Sequence, residues 1–313
     1  MKVFFPNETH FMKSPNTQVF PDIEAYSKES GLSPEVLEEA FKLENHYHKL
    51  LVQEEDANKR EGLYDEFYSN LLQFYGRTAK KDSSLEERIA TKDPQVTLFE
   101  KELKGKSIID FGCGEGYFLM NIQKKIPYKK LTGVDVFIPE TLKNHPSIQF
   151  ISSGIINFRT EEKFELAFSD NVIEHLSPLD LKDHLRSVYE SLVPGGKFIL
   201  VMPNRLFGPM DVTRIMDNSS SGRILAQGGH LNESTYHEMV GALTETGFFN
   251  FQTILPIPKF KYSTFKNNRI KADWIIGIEQ SKFLLNIFRG IKVKGRCPVR
   301  FTVTLICQKP ELH

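Results

Sequence analysis

Residues 108–118 read IIDFGCGEGYF, and this stretch decides the fold. An apolar run typical of a buried β-strand ends at Asp110, and a helical pattern begins a few residues later. Between the two stand three glycines, Gly112, Gly114 and Gly116. Glycines at that spacing let the backbone turn sharply and approach a ligand closely, because no side chain intervenes. The stretch therefore predicts a strand, a ligand-binding turn and a helix.

The next strand is predicted over residues 130–137, KLTGVDVF, and it ends at Asp135. Asp135 comes 19 residues after Gly116. A carboxylate at that distance from a glycine turn suits the two hydroxyls of a ribose. The two strands and the helix between them predict a βαβ unit that binds a nucleoside.

The glycine spacing separates two kinds of nucleoside cofactor. Dinucleotide-binding proteins carry G-x-G-x-x-G, which directs a helix N-terminus at a pyrophosphate. This chain has G-x-G-x-G, with Tyr117 where the third dinucleotide glycine would stand. Residues 110–116, DFGCGEG, resemble motif I of the class I S-adenosylmethionine-dependent methyltransferases. The resemblance implies that the turn offers backbone donors to the methionine end of that cofactor, and that Asp110 lies near its ammonium group.

Three later stretches resemble the same family, and they follow in the family's order. Residues 164–178, FELAFSDNVIEHLSP, resemble its fourth strand and the Glu-His-Leu segment of the bacterial methyltransferase-domain branch. Residues 192–204 resemble the Pro-Gly-Gly turn into the fifth strand, and residues 229–248 resemble the helix that follows. The implied fold is α/β, Rossmann-like: a doubly wound, mostly parallel sheet of seven strands whose last strand runs antiparallel.

The resemblance implies a set of cofactor-binding residues that follow the strands. They are Asp110, Gly112, Cys113, Gly114, Gly116, Asp135, Val136, Gly154, Ile155, Asp170 and Asn171. One position departs from the family. After the third strand, many relatives have an acidic residue that accepts a hydrogen bond from the adenine amino group, whereas this chain has Gly154. We expect backbone groups and apolar contacts to hold the adenine instead.

Glu174 and His175 are the predicted catalytic pair. Methyl transfer from a sulfonium is an in-line displacement with a neutral leaving group, so the protein mainly aligns the acceptor with the methyl group. A general base is required only when the acceptor arrives protonated. His175 is the candidate base, because an unperturbed imidazole has a pKa of about 6.5. The alternative is that both residues only hold the loop and the start of the next helix.

The pattern divides the chain into an N-terminal helical extension, residues 1–94, and a methyltransferase-like domain, residues 95–313. In many enzymes of the resembled family such helices cover the cofactor and shape the acceptor pocket. Residues 203–231 are rich in glycine and proline and have no clean period, which is typical of a lid over a site. The polar candidates in this segment for contact with the acceptor are Asn204, Arg205 and His230.

The leading interpretation is an S-adenosylmethionine-dependent methyltransferase that acts on an oxygen or nitrogen of a small or conjugated acceptor. A more specific alternative is RNA 3′-end 2′-O-methylation, where the enzymes hold a metal ion through Glu-x-x-Glu-His and a later histidine. Glu174, His175 and His230 match that set, but Asn171 replaces the first glutamate. We therefore expect no metal and no nucleic acid. Other classes are a non-catalytic S-adenosylmethionine-binding protein and a nicotinamide-dependent oxidoreductase.

Composition and charge indicate the setting. The chain of 313 residues opens with no secretory pattern and has no apolar run long enough to cross a bilayer. Its three cysteines have no metal-binding spacing, which favours reduced thiols and a cytoplasmic location. Residues 272–289 predict one apolar-rich helix with basic flanks, a pattern that suits a membrane surface, although packing against the sheet is the favoured interpretation. The sequence does not indicate an oligomeric state.

Overall fold

The computed structural model describes residues 19–78, 84–254, 268–291 and 302–311. They form an α/β fold around one sheet of eight strands. In chain order the strands are β1 (Ser107–Phe111), β2 (Lys130–Asp135), β3 (Gln149–Ser152), β4 (Phe164–Asp170), β5 (Leu192–Met202), β6 (Phe249–Thr253), β7 (Ile270–Lys271) and β8 (Val303–Gln308).

The sheet has the order β3-β2-β1-β4-β5-β8-β6-β7. Strands β1 to β5 are parallel to one another, and β8 lies antiparallel between β5 and β6. The predicted doubly wound, mostly parallel sheet with an antiparallel last strand is confirmed. The additional strand is β7, which pairs two residues with the edge of β6 and is too short for a sequence pattern to signal. The strand order switches direction at β1, between β2 and β4, where ligands of open α/β sheets bind.

Helices cover both faces of the sheet, and each face has its own apolar core. In chain order the helices are α1 (Ile23–Ser30), α2 (Pro34–Gln53), α3 (Ala57–Thr78), α4 (Leu85–Ala90), α5 (Asp93–Leu103), α6 (Tyr117–Lys125), α7 (Leu181–Ser191), α8 (Tyr236–Thr246), α9 (Ala272–Gln280) and α10 (Lys282–Gly290). Helices α4 to α6 pack on one face. Helices α7 to α10 pack on the other.

Local signals explain where several helices begin. The Oγ of Ser33 accepts the backbone N–H of Val36, and Pro34 occupies the first helical position of α2. Thr235 begins α8 with a capping box that it forms with Glu238. The predicted single helix over 272–289 is instead two helices, because Ser281 caps the start of α10 and interrupts the run.

The helical extension packs against the segment of residues 203–231. Phe41 of α2 lies in one apolar cluster with Val212, and Phe67 of α3 lies in a second cluster with Leu231 close by. The segment itself contains two short 3₁₀ turns. The predicted lid and the helical extension are therefore packed together over the carboxyl ends of the strands.

Side chains of α2 hold residues 227–229 (Gln-Gly-Gly). Their hydrogen bonds to these three residues go only to backbone atoms. Asn45 donates to the first carbonyl over 2.8 Å, and His48 donates to the second over 3.0 Å. The amide of the third residue donates to Glu44 over 2.7 Å. A Cβ on the middle glycine would stand 2.7 Å from the Asp211 carboxylate and 2.8 Å from that of Glu44, so no side chain fits there.

The last two helices present both buried and exposed apolar groups. Ala272 and Ile275 of α9 are buried in the core on their face of the sheet. Trp274 and Phe283 are 72% and 74% exposed. In the described ranges, no helix combines the length and the apolar character that a membrane crossing requires.

Two of the three cysteines fall in the described part of the chain. Cys113 and Cys307 are buried, free thiols. Burial raises the pKa of both, so neither is a ready nucleophile. Cys297 lies outside the described residues.

Candidate cofactor and acceptor site

A cleft of about 250 Å³ opens at the carboxyl ends of β1 and β4. It lies at the switch point of the sheet, where the topology predicts a ligand. Its walls come from the glycine turn, from α6, from β4 and from the residue that precedes α5. The lining residues are Lys92, Asp110, Gly112, Cys113, Gly114, Glu115, Tyr117, Phe118, Phe168 and Asp170.

The glycine turn requires glycine for two distinct reasons. Gly112 has φ of 74°, and a Cβ there would stand 2.3 Å from the Val172 side chain. Gly116 has φ of 71°, and a Cβ there would stand 2.6 Å from the ring of Phe150. Gly114 also has a positive φ, 52°, but no atom of the described residues lies within 4 Å of its ideal Cβ. The turn is thus tightly packed at Gly112 and Gly116 and open at Gly114, which leaves room for a ligand.

Asp135 ties the second strand to this turn. Its Oδ2 accepts the Gly114 N–H at 2.8 Å, and its Oδ1 accepts the Phe137 N–H at 3.1 Å. A carboxylate has about four acceptor positions, so two remain for the hydroxyls of a ribose. Val136 is 39% exposed and Phe137 is 56% exposed beside it. Phe137 therefore offers an exposed aromatic ring beside Asp135, and it was not among the predicted site residues.

Two acids and one lysine form the polar wall of the cleft. Burial, and then the neighbouring Asp170, raise the pKa of Asp110 well above its usual range, while Lys92 acts in the opposite direction. The Nζ of Lys92 lies 3.0 Å from Asp170 Oδ2, and Gln95 donates to the same oxygen over 2.6 Å. Lys92 precedes α5 and was not among the predicted site residues. The fold places Lys92 opposite the end of β4, next to Asp170.

The predicted adenine side contains a carboxylate after all. A Cβ on Gly154 would lie 3.9 Å from the Oε1 of Glu61, which belongs to α3. The helical extension therefore places the carboxylate of Glu61 near the position where the family resemblance leads one to expect an acid. Ile155 is buried in the core, and its carbonyl accepts the Nδ1–H of His184 at 3.0 Å.

Glu174, His175 and His230 form a cluster just beyond the end of β4. One ligand atom from each of the three lies within 4.8 Å of the others. The backbone joins the two segments, because the Glu174 carbonyl accepts the N–H of Leu231 at 2.6 Å and that of Asn232 at 2.9 Å. The structure thus unites residues that lie 55 positions apart in the chain.

Burial dominates the chemistry of the two predicted catalytic residues. It raises the pKa of Glu174 to about 8. Burial, and then the neighbouring His230, lower the pKa of His175 to about 4. His175 is therefore a neutral imidazole at neutral pH, and a weaker base than the unperturbed value of about 6.5 suggested. For His230, burial acts to lower the pKa, but the hydrogen bond to Glu233 and the nearby carboxylates raise it to about 9.

Tyr68 of α3 connects this cluster with the cofactor side. Its ring centroid lies 6.4 Å from that of His175. Burial raises the pKa of Tyr68, and the carboxylates of Asp135 and Glu174 raise it further, since both are close enough to act on its hydroxyl. An aromatic side chain of the extension therefore lies next to the cluster.

Three other predicted residues have partners of their own. Asn171 adopts a φ of 55°, and its side-chain amide donates to Asp170 over 3.0 Å. Asn204 is buried, caps a 3₁₀ turn and donates to Glu279 over 2.6 Å. Arg205 forms an ion pair with Glu238. Asn204 thus fastens the 203–231 segment to α9 and Arg205 fastens it to α8, while their contact with an acceptor stays a prediction.

An open α/β sheet with a glycine turn at its switch point and a carboxylate on the next strand defines a protein that binds a nucleoside cofactor. Residues 84–253, more than half of the chain, match the family model described as a methyltransferase domain. The chain belongs to the class I S-adenosylmethionine-dependent methyltransferase family, and its cofactor is S-adenosylmethionine.

Relatives with known names match only part of this chain. Malonyl-[acyl-carrier protein] O-methyltransferase 1 of Ilyobacter polytropus is 31% identical over 101 residues, which are 30% of this chain and 37% of that protein. Trans-aconitate 2-methyltransferase of Rhodopseudomonas palustris is 29% identical over 104 residues, which are 32% of this chain and 40% of that protein. The chain thus spans less than half the length of either relative.

Solved methyltransferases are similar at a coarser level. The structure of 1,6-didemethyltoxoflavin-N1-methyltransferase from Burkholderia thailandensis, with bound 1,6-didemethyltoxoflavin and S-adenosylhomocysteine, has a TM-score of 0.43 and 13% identity. The comparison covers 78% of this chain and 87% of that one.

Proposed function

We propose that this protein transfers a methyl group from S-adenosylmethionine to an oxygen or nitrogen of a small or conjugated acceptor. One observation carries the proposal: in a chain of this family, the switch point of the sheet combines an open glycine turn with acids near the carboxyl ends of three adjacent strands, β2, β1 and β4. Asp110, Asp135 and Asp170 supply those acids.

The residues present fit each part of the cofactor. Asp135 would accept the ribose hydroxyls with the lone pairs that Gly114 and Phe137 leave unused. Asp110 and Asp170 are acceptors for an ammonium group, and Lys92 is a donor for a carboxylate. Glu61 supplies an acceptor for the adenine amino group beside Gly154. No part of the cofactor requires a residue that the chain lacks.

The contribution of the protein to the reaction is alignment. The bound cofactor supplies an electrophilic methyl group on a sulfonium, and the acceptor must approach it in line. Holding two reactants in such an orientation can contribute about 7–11 kcal/mol to lowering the barrier. The helical extension and the 203–231 segment cover the site and limit access of water. We keep Glu174 and His175 as residues that act on the acceptor.

The relatives suggest which acceptors to test first. Their names give malonyl-acyl carrier protein and trans-aconitate as substrates of those proteins. Both are carboxylic acids, and a carboxylate arrives without a proton, so its methylation needs no general base. The weak basicity of His175 is compatible with such an acceptor.

Cofactor binding is tested by isothermal titration with S-adenosylmethionine and S-adenosylhomocysteine. Asp135→Ala should weaken both about 10- to 100-fold, because a hydrogen bond to a charged group contributes about 1.5–3 kcal/mol. Glu140→Gln is the matched control, since Glu140 is exposed and paired with Lys143. Undetectable binding by the unaltered protein, or stabilisation by a nicotinamide dinucleotide alone, would refute the proposal.

Turnover separates an enzyme from a protein that only binds the cofactor. We expect release of S-adenosylhomocysteine in the presence of at least one acceptor from a panel of carboxylates, amines and alcohols that includes malonyl-acyl carrier protein and trans-aconitate. Cofactor binding without release from any acceptor in the panel would favour the non-catalytic alternative.

The RNA 3′-end alternative has partial support. Glu174, His175 and His230 lie together, as that interpretation requires. Asn171 stands in place of the further glutamate, and its amide is engaged with Asp170. We therefore do not propose it, and an RNA 3′ end enters the acceptor panel as one member.

A further inference from the structure

We propose that Glu174, His175 and His230 bind a divalent transition-metal ion, contrary to the expectation from the sequence. Two imidazole nitrogens and one carboxylate are a donor set that suits Zn²⁺, Mn²⁺, Fe²⁺ and Co²⁺. The three ligand atoms already lie within 4.8 Å of one another. Ligands of a tetrahedral Zn²⁺ at about 2.1 Å are about 3.4 Å apart. Binding of the ion would therefore draw the three side chains closer together.

The carboxylate of Glu174 is the observation that points to a ligand. Glu174 is completely buried. Within the described residues neither of its carboxylate oxygens has a hydrogen-bond partner. A buried carboxylate without a partner is costly, and native proteins pair such a group or give it to a metal. The two histidines are its neighbours in the cluster, so we expect a ligand of Glu174 to lie between the three side chains.

Both histidines are oriented as metal ligands usually are. The Nδ1 of His175 donates to the Gly229 carbonyl at 3.0 Å. The Nδ1 of His230 donates to Glu233 Oε1 at 2.6 Å. A metal-bound histidine characteristically donates its other ring nitrogen to a carbonyl or a carboxylate, which fixes the tautomer and the ring orientation. With each Nδ1 so engaged, the Nε2 atoms are the ligands.

Glu233 and the backbone hold the second half of the site in place. Glu233 Oε1 also accepts the Met210 N–H at 2.8 Å, so the carboxylate that orients His230 is itself fixed. Three protein ligands leave at least one coordination position open, as in catalytic metal sites.

The open position gives the ion a role at the acceptor. An ion held by these three residues would polarise an acceptor oxygen at that position and favour loss of its proton to solvent. This role rests on the proposed function, whereas the binding of the ion does not.

The test measures binding of Zn²⁺ alone to the full-length, untagged, chelator-treated protein. We expect one equivalent to bind and to raise the melting temperature, and Co²⁺ to give the visible absorption of a site with nitrogen and oxygen ligands. Glu174→Gln, His175→Asn and His230→Asn should each lower the Zn²⁺ affinity about 100-fold or more. The asparagines retain a donor for Gly229 or Glu233 and delete only the Nε2 ligand.

His184→Asn is the matched control, because the Nδ1 of His184 also donates to a carbonyl, but this fully buried histidine lies outside the cluster. It should retain full Zn²⁺ affinity. Absence of Zn²⁺ and Co²⁺ binding by the unaltered protein would overturn the proposal, as would equal losses in the cluster variants and in His184→Asn. If the metal-free protein still methylates an acceptor at the full rate, the activating role falls; if Zn²⁺ binds and no acceptor is methylated, the proposed function falls alone.

Discussion

Two buried carboxylates, Asp180 and Glu174, lie six positions apart and have opposite surroundings. Asp180 accepts from the Arg60 guanidinium at both oxygens, over 2.5 and 2.9 Å, and from the Tyr64 hydroxyl over 3.0 Å. Glu174 has no hydrogen-bond partner for its carboxylate among the residues the structure describes. Both stand where the helical extension meets the sheet domain, so their location alone does not explain the difference.

The difference separates a structural carboxylate from one that is available to a ligand. A buried charge is stable in a protein only when a partner and hydrogen bonds compensate its desolvation. Arg60 and Tyr64 provide this for Asp180, and they thereby dock α3 on the domain. The carboxylate of Glu174 has no hydrogen bond in the described part of the chain, and burial raises its pKa to about 8 although the neighbouring His230 acts in the opposite direction. The contrast is open to direct measurement.

The largest expected effect is at the paired carboxylate. Asp180→Ala should lower the free energy of unfolding by about 3–5 kcal/mol, because it leaves the buried Arg60 uncompensated. Urea denaturation followed by circular dichroism measures this loss. The double variant Asp180→Leu, Arg60→Met removes both charges and should recover most of the stability. A loss below about 1 kcal/mol in the single variant would show that the pair does not dock the extension.

A smaller effect is expected at the hydroxyl that supports the same pair. Tyr64 donates to Asp180 and accepts the Ser177 N–H at 2.6 Å. Tyr64→Phe leaves that amide and one carboxylate contact unsatisfied, so the free energy of unfolding should fall by about 1–3 kcal/mol. Tyr189→Phe serves as the comparison in the same urea titration, because it removes a hydroxyl away from this dock. Equal stability of the two variants would contradict the role of Tyr64.

A third carboxylate, Glu165, tests how a partly exposed paired acid responds to pH. A hydrogen bond from Lys129, with further help from the Ser107 N–H and Lys106, lowers its pKa to about 2. Because the pKa is depressed in the folded state, this stabilisation is fully present above the unfolded-state pKa of about 4.5 and is lost as the pH falls toward 2.

Glu165→Gln should therefore cost about 1–2 kcal/mol at pH 7, after allowance for solvent screening of these side chains. The difference between the variant and the unaltered protein should shrink as the pH falls below about 4.5. Urea titrations at several pH values measure both quantities. A difference that stays constant down to the lowest pH at which the protein is folded would contradict the assignment.

The smallest effect on stability is expected at the unpartnered carboxylate. In metal-free protein, Glu174→Gln should change the free energy of unfolding by less than about 1 kcal/mol, or increase it, because no partner is lost and a buried acid is replaced by a neutral amide. The measurement is a urea titration in the presence of a chelator. A destabilisation comparable with that of Asp180→Ala would remove the distinction between the two carboxylates.

The sequence predicts the strands and the glycine turn well because the signals for them are local. Gly112 and Gly116 need positive φ and close packing, which only glycine permits, and Asp135 ends the adjacent strand. Strand order followed from the ordered motifs of the family. Such features depend on residues within short stretches of the chain, so the spacing of those residues is enough to indicate them.

The rest of the site depends on contacts between distant parts of the chain. Lys92 lies 78 positions before Asp170, and Glu61 lies 93 positions before Gly154. Neither has a neighbouring pattern that marks it as a site residue, because the fold alone places it. For the same reason an ordinary pKa is expected for His175 from the sequence, whereas burial lowers it to about 4. Arg77, a further candidate for the cofactor carboxylate, has its side chain outside the described residues.

The way in which α2 holds residues 227–229 has a consequence for how this chain can vary in sequence. Glu44, Asn45 and His48 recognise only main-chain atoms of that loop. The side chain of Gln227 can therefore vary without loosening the cover, while the middle glycine is fixed by lack of space. A lineage could exchange the side chain at position 227 and keep the main-chain contacts that hold the loop on α2.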